Sequence, residues 1–332
     1  MIVVRYHDSR WVKQKERVLT QADVIRILLP MLIDSMREFL HHPTSQGTQT
    51  ARDIFFSAVR NSIAGIIATF KNLGPVEESN NGVFINKMDA FFNLIEDQEN
   101  FEDLSEVDEL IKWVLTHSLT VAKAGTKDDD VEITATCQKI VAEFYNLKKL
   151  VTEEVKLAEH NAKLSFKALS DVFELLEQRV NGALLRLAIS SFSCVSQPLD
   201  RLVNTILSST IPPSARLSDH IAEEIKTLDE QTDRIFQLCH FCVFCTSDNE
   251  KAQKIRSLGA TLELLETELV PALLQLFFNP GDPGARALVR ILRQLWKSLL
   301  ENLSSAVLDI VDPTAYCVIL FEEVTKIAKQ VK

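Results

Sequence analysis

Glycine is scarce in this chain: nine residues in 332, well below the usual share of about 7%. Nucleotide-binding folds need glycine-rich turns that bring backbone close to phosphate. Little material for them is present, so dehydrogenase, kinase and P-loop readings lose their footing. Basic charge is also in short supply. The formal net charge is −10, whereas nucleic-acid binding draws its affinity from Lys and Arg on phosphates. Lys148, Lys149 and Lys156 are sparse and mixed with Glu153 and Glu154. No run approaches the ~20 apolar residues of a membrane-spanning helix. The opening MIVVRYHDSRWVK lacks the apolar core of a secretory signal. Six cysteines, three of them on one segment, do not make a secreted disulfide framework. The expected compartment is the cytosol, with reduced thiols.

What is present is helical periodicity. Val24, Ile27, Leu28, Met31, Leu32, Met36 and Phe39 recur at gaps of three and four over residues 21–40. Pro30 falls inside that stripe and His41-His42-Pro43 ends it. A second helix is expected over 48–72, through Ile54, Phe55, Ala58, Ser62, Ile66 and Phe70, then a loop over 72–82 and a shorter helix over 83–96. Ser105 with Asp108 reads as a capping box, and Asp128-Asp129-Asp130 suits the first turn of the next helix through its dipole. Val131 to Asn181 holds neither proline nor glycine. It is two long helices or one that links two bundles, with Leu157, Leu164, Ala168, Val172 and Leu175 on one face. Gly182 is the next punctuation, followed by a helix over 183–207. Residues 208–218 read as a linker. Further helices are expected over 219–246, 249–278 and 285–310, with a turn at 279–284 and a last helix from Asp312-Pro313. No segment alternates as a strand does. Long helices with short loops pack as antiparallel bundles.

The most chemical-looking segment is Cys239-His240-Phe241-Cys242-Val243-Phe244-Cys245. Three thiols and an imidazole could hold zinc or a cluster. On a helix, however, Ile221, Ile225, Leu228, Thr232, Ile235, Cys239 and Cys242 form a seam with gaps alternating four and three. Cys239 and Cys242 then occupy core positions, where free cysteine behaves as a small apolar group. His240 points about 100° away from Cys239. The other histidines, His7, His41, His42, His117, His160 and His220, are scattered, and no GxSxG, GxxxxGK[ST] or HExxH occurs. Glu153-Glu154 and Glu322-Glu323 suit solvated helix faces, and Trp113 and Trp296 suit the core, while Trp11 fits either core or an exposed contact. No catalytic residue, cofactor or metal is assigned.

A family resemblance is carried by particular stretches. Residues 229–276 resemble the middle region of α-catenin: a Cys-rich helix end, the turn Thr246-Ser247-Asp248-Asn249-Glu250, then Leu265-Glu266, Pro271 and Ala272-Leu273-Leu274. Residues 292–316 are similar to the following helix, with Trp296 and the acidic Asp309 and Asp312 in matching places. SSFSCVSQPLDRL, 190–202, is similar to the helix that α-catenin uses to bind vinculin. Residues 135–151 resemble the long helix leading into it, and residues 21–70 a helix pair of the amino-terminal bundle. The chain is thus identified as a vinculin/α-catenin superfamily member, with the divergent serendipity-alpha branch as the narrower expectation.

The resemblance implies an all-α fold of tandem antiparallel four-helix-type bundles sharing long linking helices. The expected divisions are 1–150, 151–246 and 247–332, the last lacking a closing helix. It implies a non-enzymatic scaffold between membrane-associated complexes and cortical actin, at the cytoplasmic cell cortex, with a role in cellularisation on the serendipity-alpha branch. Vinculin- or catenin-like proteins, cortical actin regulators and a second copy of the chain are the expected partners. The chain begins after the β-catenin-binding region of α-catenin and stops before its actin-binding tail, so direct actin binding is not carried over. The candidate partner-binding helix is 183–207, through Leu185, Ala188, Ile189, Phe192, Leu199, Leu202, Val203 and Ile206, with Pro198 making local opening cheaper; the same stripe also suits a plain core helix. Two rival readings are a thiol- or metal-dependent protein acting through Cys239, Cys242 and Cys245, and a helical adaptor unrelated to adhesion.

Overall fold

The computed structural model describes residues 2–71, 82–97, 104–152, 156–208 and 219–330, with the side chains of the first helix described from Arg17 on. The described residues form eleven helices and no strand: α1 (Ile2–His41), α2 (Gln46–Lys71), α3 (Val83–Asp97), α4 (Ser105–Ala124), α5 (Lys127–Thr152), α6 (Lys156–Phe192), α7 (Gln197–Ser208), α8 (Asp219–Phe244), α9 (Asn249–Phe278), α10 (Pro283–Leu308) and α11 (Pro313–Gln330). Trp11, His7, His160, Glu153, Glu154, Leu157 and most of the 208–218 linker lie outside the described residues or side chains.

The contacts group the chain into two compact units. The first joins 1–80, 191–239 and 249–309; the second joins 81–190, 240–248 and 310–332. These groupings do not follow expected boundaries at 150 and 246. They change over inside helices: at Ser190/Ser191 in α6 and at Cys239/His240 in α8. A long helix can serve one core along part of its length and another along the rest, so sequence punctuation and packing boundaries need not coincide. The shared linking helices expected of the superfamily are thus present.

In the first unit α1 and α2 run antiparallel. Arg52 of α2 sits 4.4 Å over the Phe39 ring of α1, and Gly65 faces Gln21. The buried face of α1 is Val24, Leu28, Leu32 and Ser35. Met36, expected in the core, is exposed, and Ser35 takes its place by bonding its hydroxyl to the Leu32 carbonyl at 2.8 Å. α9 and α10 are also antiparallel, with Lys254 3.3 Å from Asp309. Their core centres on Leu262, Leu269, Leu273, Leu292, Leu299 and the fully buried Trp296. Asp282 caps α10 by accepting from the Gly284 N–H at 2.9 Å, with Pro283 in the first helical position.

The second unit packs α3, α4, α5 and most of α6 around Met88, Phe91, Val114, Ile133, Ile140 and Leu147. The core face of α6 is Phe166, Leu169, Phe173, Leu176 and Val180. The expected face, running through Leu164, Ala168, Val172 and Leu175, lies one residue off, and Leu164 is exposed. Both faces have helical spacing. Aromatic volume selects between them: Phe173 stacks on Phe91 at 3.7 Å between ring centres.

The capping box occurs one helix later than expected. α4 starts at Ser105 behind Leu104, with no side-chain cap. Asp108 instead pairs with Lys148 at 3.1 Å and Lys112 at 3.3 Å. The reciprocal box is Thr126 with Asp129. The Asp129 carboxylate accepts from the Thr126 N–H at 3.0 Å and hydroxyl at 2.7 Å, and the Asp129 N–H donates to Thr126 Oγ1 at 3.2 Å. Gly82 begins α3 at φ 61° with its N–H on the Val243 carbonyl at 3.0 Å. A Cβ there would sit 3.0 Å from Ser247 Cα.

Candidate partner-binding surfaces

The 183–207 segment is not one helix. α6 continues through Gly182 to Phe192, turns follow over 193–196, and α7 starts at Gln197. Two local effects place the break. Pro198 has no N–H to donate to the Cys194 carbonyl four residues back, and serine side chains compete for backbone hydrogen bonds. The Gln197 N–H accordingly donates to the Cys194 carbonyl at 3.0 Å, closing a turn. Leu185, Ala188 and Ile189 therefore belong to the second unit, and Phe192, Leu199, Leu202, Val203 and Ile206 to the first. Leu185, Ala188, Leu199, Leu202, Val203 and Ile206 are buried, while Ile189 and Phe192 are half-buried.

α7 carries a dense apolar face on only 12 residues. Its face packs on α9, and one acidic group anchors it to α10. Asp200 accepts from Arg293 at 2.7 Å and lies 3.1 Å from Lys297. Desolvation pushes the Asp200 carboxyl up, but bonds from Lys297 and Arg293 more than offset it and hold the group below the ordinary value.

The cysteine segment packs as the helical seam requires. Ile221, Leu228, Thr232, Ile235, Cys239 and Cys242 are buried, and His240 faces outward. Burial pushes the Cys239 and Cys245 thiols up to about 12, whereas the thiolate is the reactive and ligating form. Among the described residues no three His, Cys, Asp or Glu groups come together as a metal cage.

The sequence reading missed a meeting of two scattered histidines. In the second unit His117 lies 4.7 Å from Phe84, 5.6 Å from Trp113 and 5.3 Å from Phe244, and His240 lies 4.4 Å from Phe244. The only signal available was that His117 sits three residues after the buried Val114 on the α4 stripe. Among the described residues no partner reaches the buried His117 Nε2, and desolvation, aided by His240, lowers the imidazole to about 4. Between about pH 6.5 and 4 the unfolded chain binds a proton that the folded unit refuses. Stability of the second unit is complete above 6.5 and falls by up to about 3 kcal/mol as pH drops through that window. Denaturant titrations of wild type and His117→Phe should diverge there. A wild-type curve as flat as the variant's would overturn this.

Among the described residues two helix faces expose large apolar side chains. Leu29, Ile33, Met36 and Leu40 on α1 are exposed, as are Phe56, Ile63 and Ile67 on α2, with Leu40 at 76%. On α11 the exposed residues are Val318, Leu320, Phe321 and Val324, with Phe321 at 73%. No single helix among the described residues is long and apolar enough to cross a membrane.

Antiparallel helices, two of which change core midway, define an all-helical bundle architecture. Comparison with known proteins agrees. A solved vinculin homolog from a sponge superposes with a TM-score of 0.73 over 96% of this chain and 40% of its own, at 19% identity. Catenin alpha-2 of Mus musculus is 20% identical over 299 residues, 84% of this chain and 30% of that protein. Serendipity locus protein alpha of Drosophila virilis is 26% identical over 197 residues, 57% of this chain and 34% of that protein. The family model for serendipity locus alpha protein matches residues 75–331. The chain belongs to that family, within the vinculin/α-catenin superfamily. It spans about a third of the length of these curated relatives.

Proposed function

We propose that the chain is a non-enzymatic scaffold of the cytoplasmic cell cortex. It connects membrane-associated complexes to cortical actin through helix-bundle contacts with vinculin- or catenin-like proteins and actin regulators, in a serendipity-alpha-like cellularisation role. Family membership supports this reading, and α7 is the observation that carries it. A bundle helix works as a partner element when its apolar stripe can leave one core and enter another. α7 is short, bounded by the 193–196 turn, and pinned through Asp200 to Arg293 and Lys297. The releasable element is narrowed to Leu199, Leu202, Val203 and Ile206. Leu185, Ala188 and Ile189 continue in α6, so moving them requires unwinding a longer helix.

Asp200→Ala removes the clamp and is expected to cost about 1–3 kcal/mol, the worth of hydrogen bonds to a charged group. Hydrogen exchange should speed up in α7 while α9 and α10 stay protected. The same variant used as bait in affinity capture from cells should enrich vinculin, catenins or cortical actin regulators above wild type. Equal capture by both baits would remove α7 from the proposal, and an unrelated partner set would remove the adhesion reading.

A further inference from the structure

Helix α11 belongs to the second unit and turns its apolar side outward. None of its described side chains is buried. Ile319 and Glu323 are half-buried. At about 100° per residue they stand about 160° and 200° round the helix from Phe321. The stripe opposite the body is Cys317, Phe321, Val324 and Ala328, all exposed, at gaps of four, three and four. In the first unit α2 carries a second outward row with the same alternation: Asp53, Phe56, Arg60, Ile63 and Ile67, again all exposed. Rows of this spacing are the seams by which helices pack on one another, and large exposed apolar patches mark interaction sites.

Charge decides what each row takes. Arg60 follows Asp53 by seven residues, and Lys329 follows Glu322 by seven. All four are exposed. Both pairs border their apolar rows on the same rotational side. Asp53 and Arg60 lie about 80° and 60° round from Ile63, and Glu322 and Lys329 about 100° and 80° round from Phe321. Flanks of the same sense face each other when two helices run antiparallel. In that orientation Arg60 opposite Glu322 also brings Asp53 opposite Lys329, whereas a parallel pairing sets Lys329 against Ile67. Ion pairs beside a seam fix partner and orientation in this way. Arg52 holds Asp53 through one of its two carboxylate oxygens, at 2.6 Å, and the Lys326–Glu323 pair lies on the body side of α11 at 2.9 Å. A lipid surface would not read signs that alternate, and a net charge of −10 suits anionic lipid poorly. One α11 contact, about 27 Å long at 1.5 Å per residue, is smaller than stable interfaces of about 1,200 Å². Two copies that exchange α11 make the contact twice.

We propose that α11 of one copy packs antiparallel on α2 of a second copy, reciprocally, so that two chains form a dimer. Phe321 and Val324 enter between Phe56 and Ile63, Glu322 meets Arg60 and Lys329 meets Asp53. The contact stands apart from the partner-binding reading, because neither α7 nor its Asp200 clamp takes part in it.

The test is sedimentation velocity of the full chain over a range of concentrations. Wild type is expected to pass from monomer to dimer as concentration rises. Phe321→Asp and Phe56→Asp each weaken association by about tenfold or more. Mixing these two variants restores a heterodimer, because the intact α11 of one meets the intact α2 of the other. Glu322→Arg and Arg60→Glu each weaken association about tenfold, and the two together in one chain return it toward wild type. Misfolding cannot produce either rescue. A wild type that stays monomeric throughout, dimers that survive Phe56→Asp, or failure of either rescue would overturn the proposal.

Discussion

Replacing Arg186 with alanine is expected to destabilise the second unit by about 3–5 kcal/mol, the range for stranding one member of a buried ion pair. Asp129 is 3% exposed and receives the Arg186 guanidinium, Nε at 2.9 Å and Nη2 closer still. The same carboxylate closes the Thr126 capping box, so one buried group holds both the start of α5 and the side of α6. Desolvation pushes its pKa up, and the bonds from Arg186 and Thr126 more than reverse this, leaving it below the ordinary carboxylate value. The stability that Asp129 contributes is therefore complete above about pH 4. It is lost as pH falls through the lowered folded value. Urea titrations between pH 7 and pH 3 should show Arg186→Ala with a lower midpoint and a shallower acid limb. Asp129→Leu with Arg186→Leu should recover most of the loss, short of about 1 kcal/mol for the missing cap. A single variant as stable as wild type would mean that the pair is solvated.

Gly47→Val should be comparably damaging in the first unit, at about 3 kcal/mol, the upper end of ordinary overpacking. Gly47 in the first turn of α2 meets Gly284 in the first turn of α10. A Cβ on Gly47 would lie 2.6 Å from the Ala285 nitrogen and 2.8 Å from the Gly284 carbonyl oxygen. A Cβ on Gly284 would lie 3.1 Å from Gly47 Cα and closer still to Ser45 Oγ. The atoms met from Gly47 are all backbone, and from Gly284 only Ser45 Oγ can rotate away, so the two helix starts must part. Thermal melting of Gly47→Val and Gly284→Val should show similar losses that do not add in the double variant, since either one opens the same contact. Additive losses would place the two glycines in separate contacts.

Helix positions were legible in the sequence because prolines, glycines and acidic caps mark them: α9, α10 and α11 lie within a few residues of expectation. The core seam of α8 was legible for a related reason, since its gaps of four and three leave one face. Faces were harder where two stripes compete. Leu164 and Phe166 both begin periodic rows on α6, and only the partner ring Phe91 decides between them. The break inside 183–207 was hidden because Pro198 and the serines before it read as weakening one helix rather than as ending it. Asp129 was read as a dipole residue because its partner Arg186 lies far along the chain. The meeting of His117 with His240 has the same origin: nothing local on α4 points to the end of α8.

The interleaved order of the two units has a consequence for synthesis. α1 and α2 emerge first, yet the helices they pack on, α9 and α10, begin at Asn249 and Pro283. At about 5–20 residues per second, the stretch from Lys71 to Asn249 keeps the ribosome occupied for roughly 10–40 s. During that interval the α1–α2 hairpin shows water both the face it will later bury and the Leu29–Leu40 face, which is exposed among the described residues. The nascent first unit is thus expected to engage chaperones for that interval, and slower elongation between α2 and α9 is expected to lower its yield.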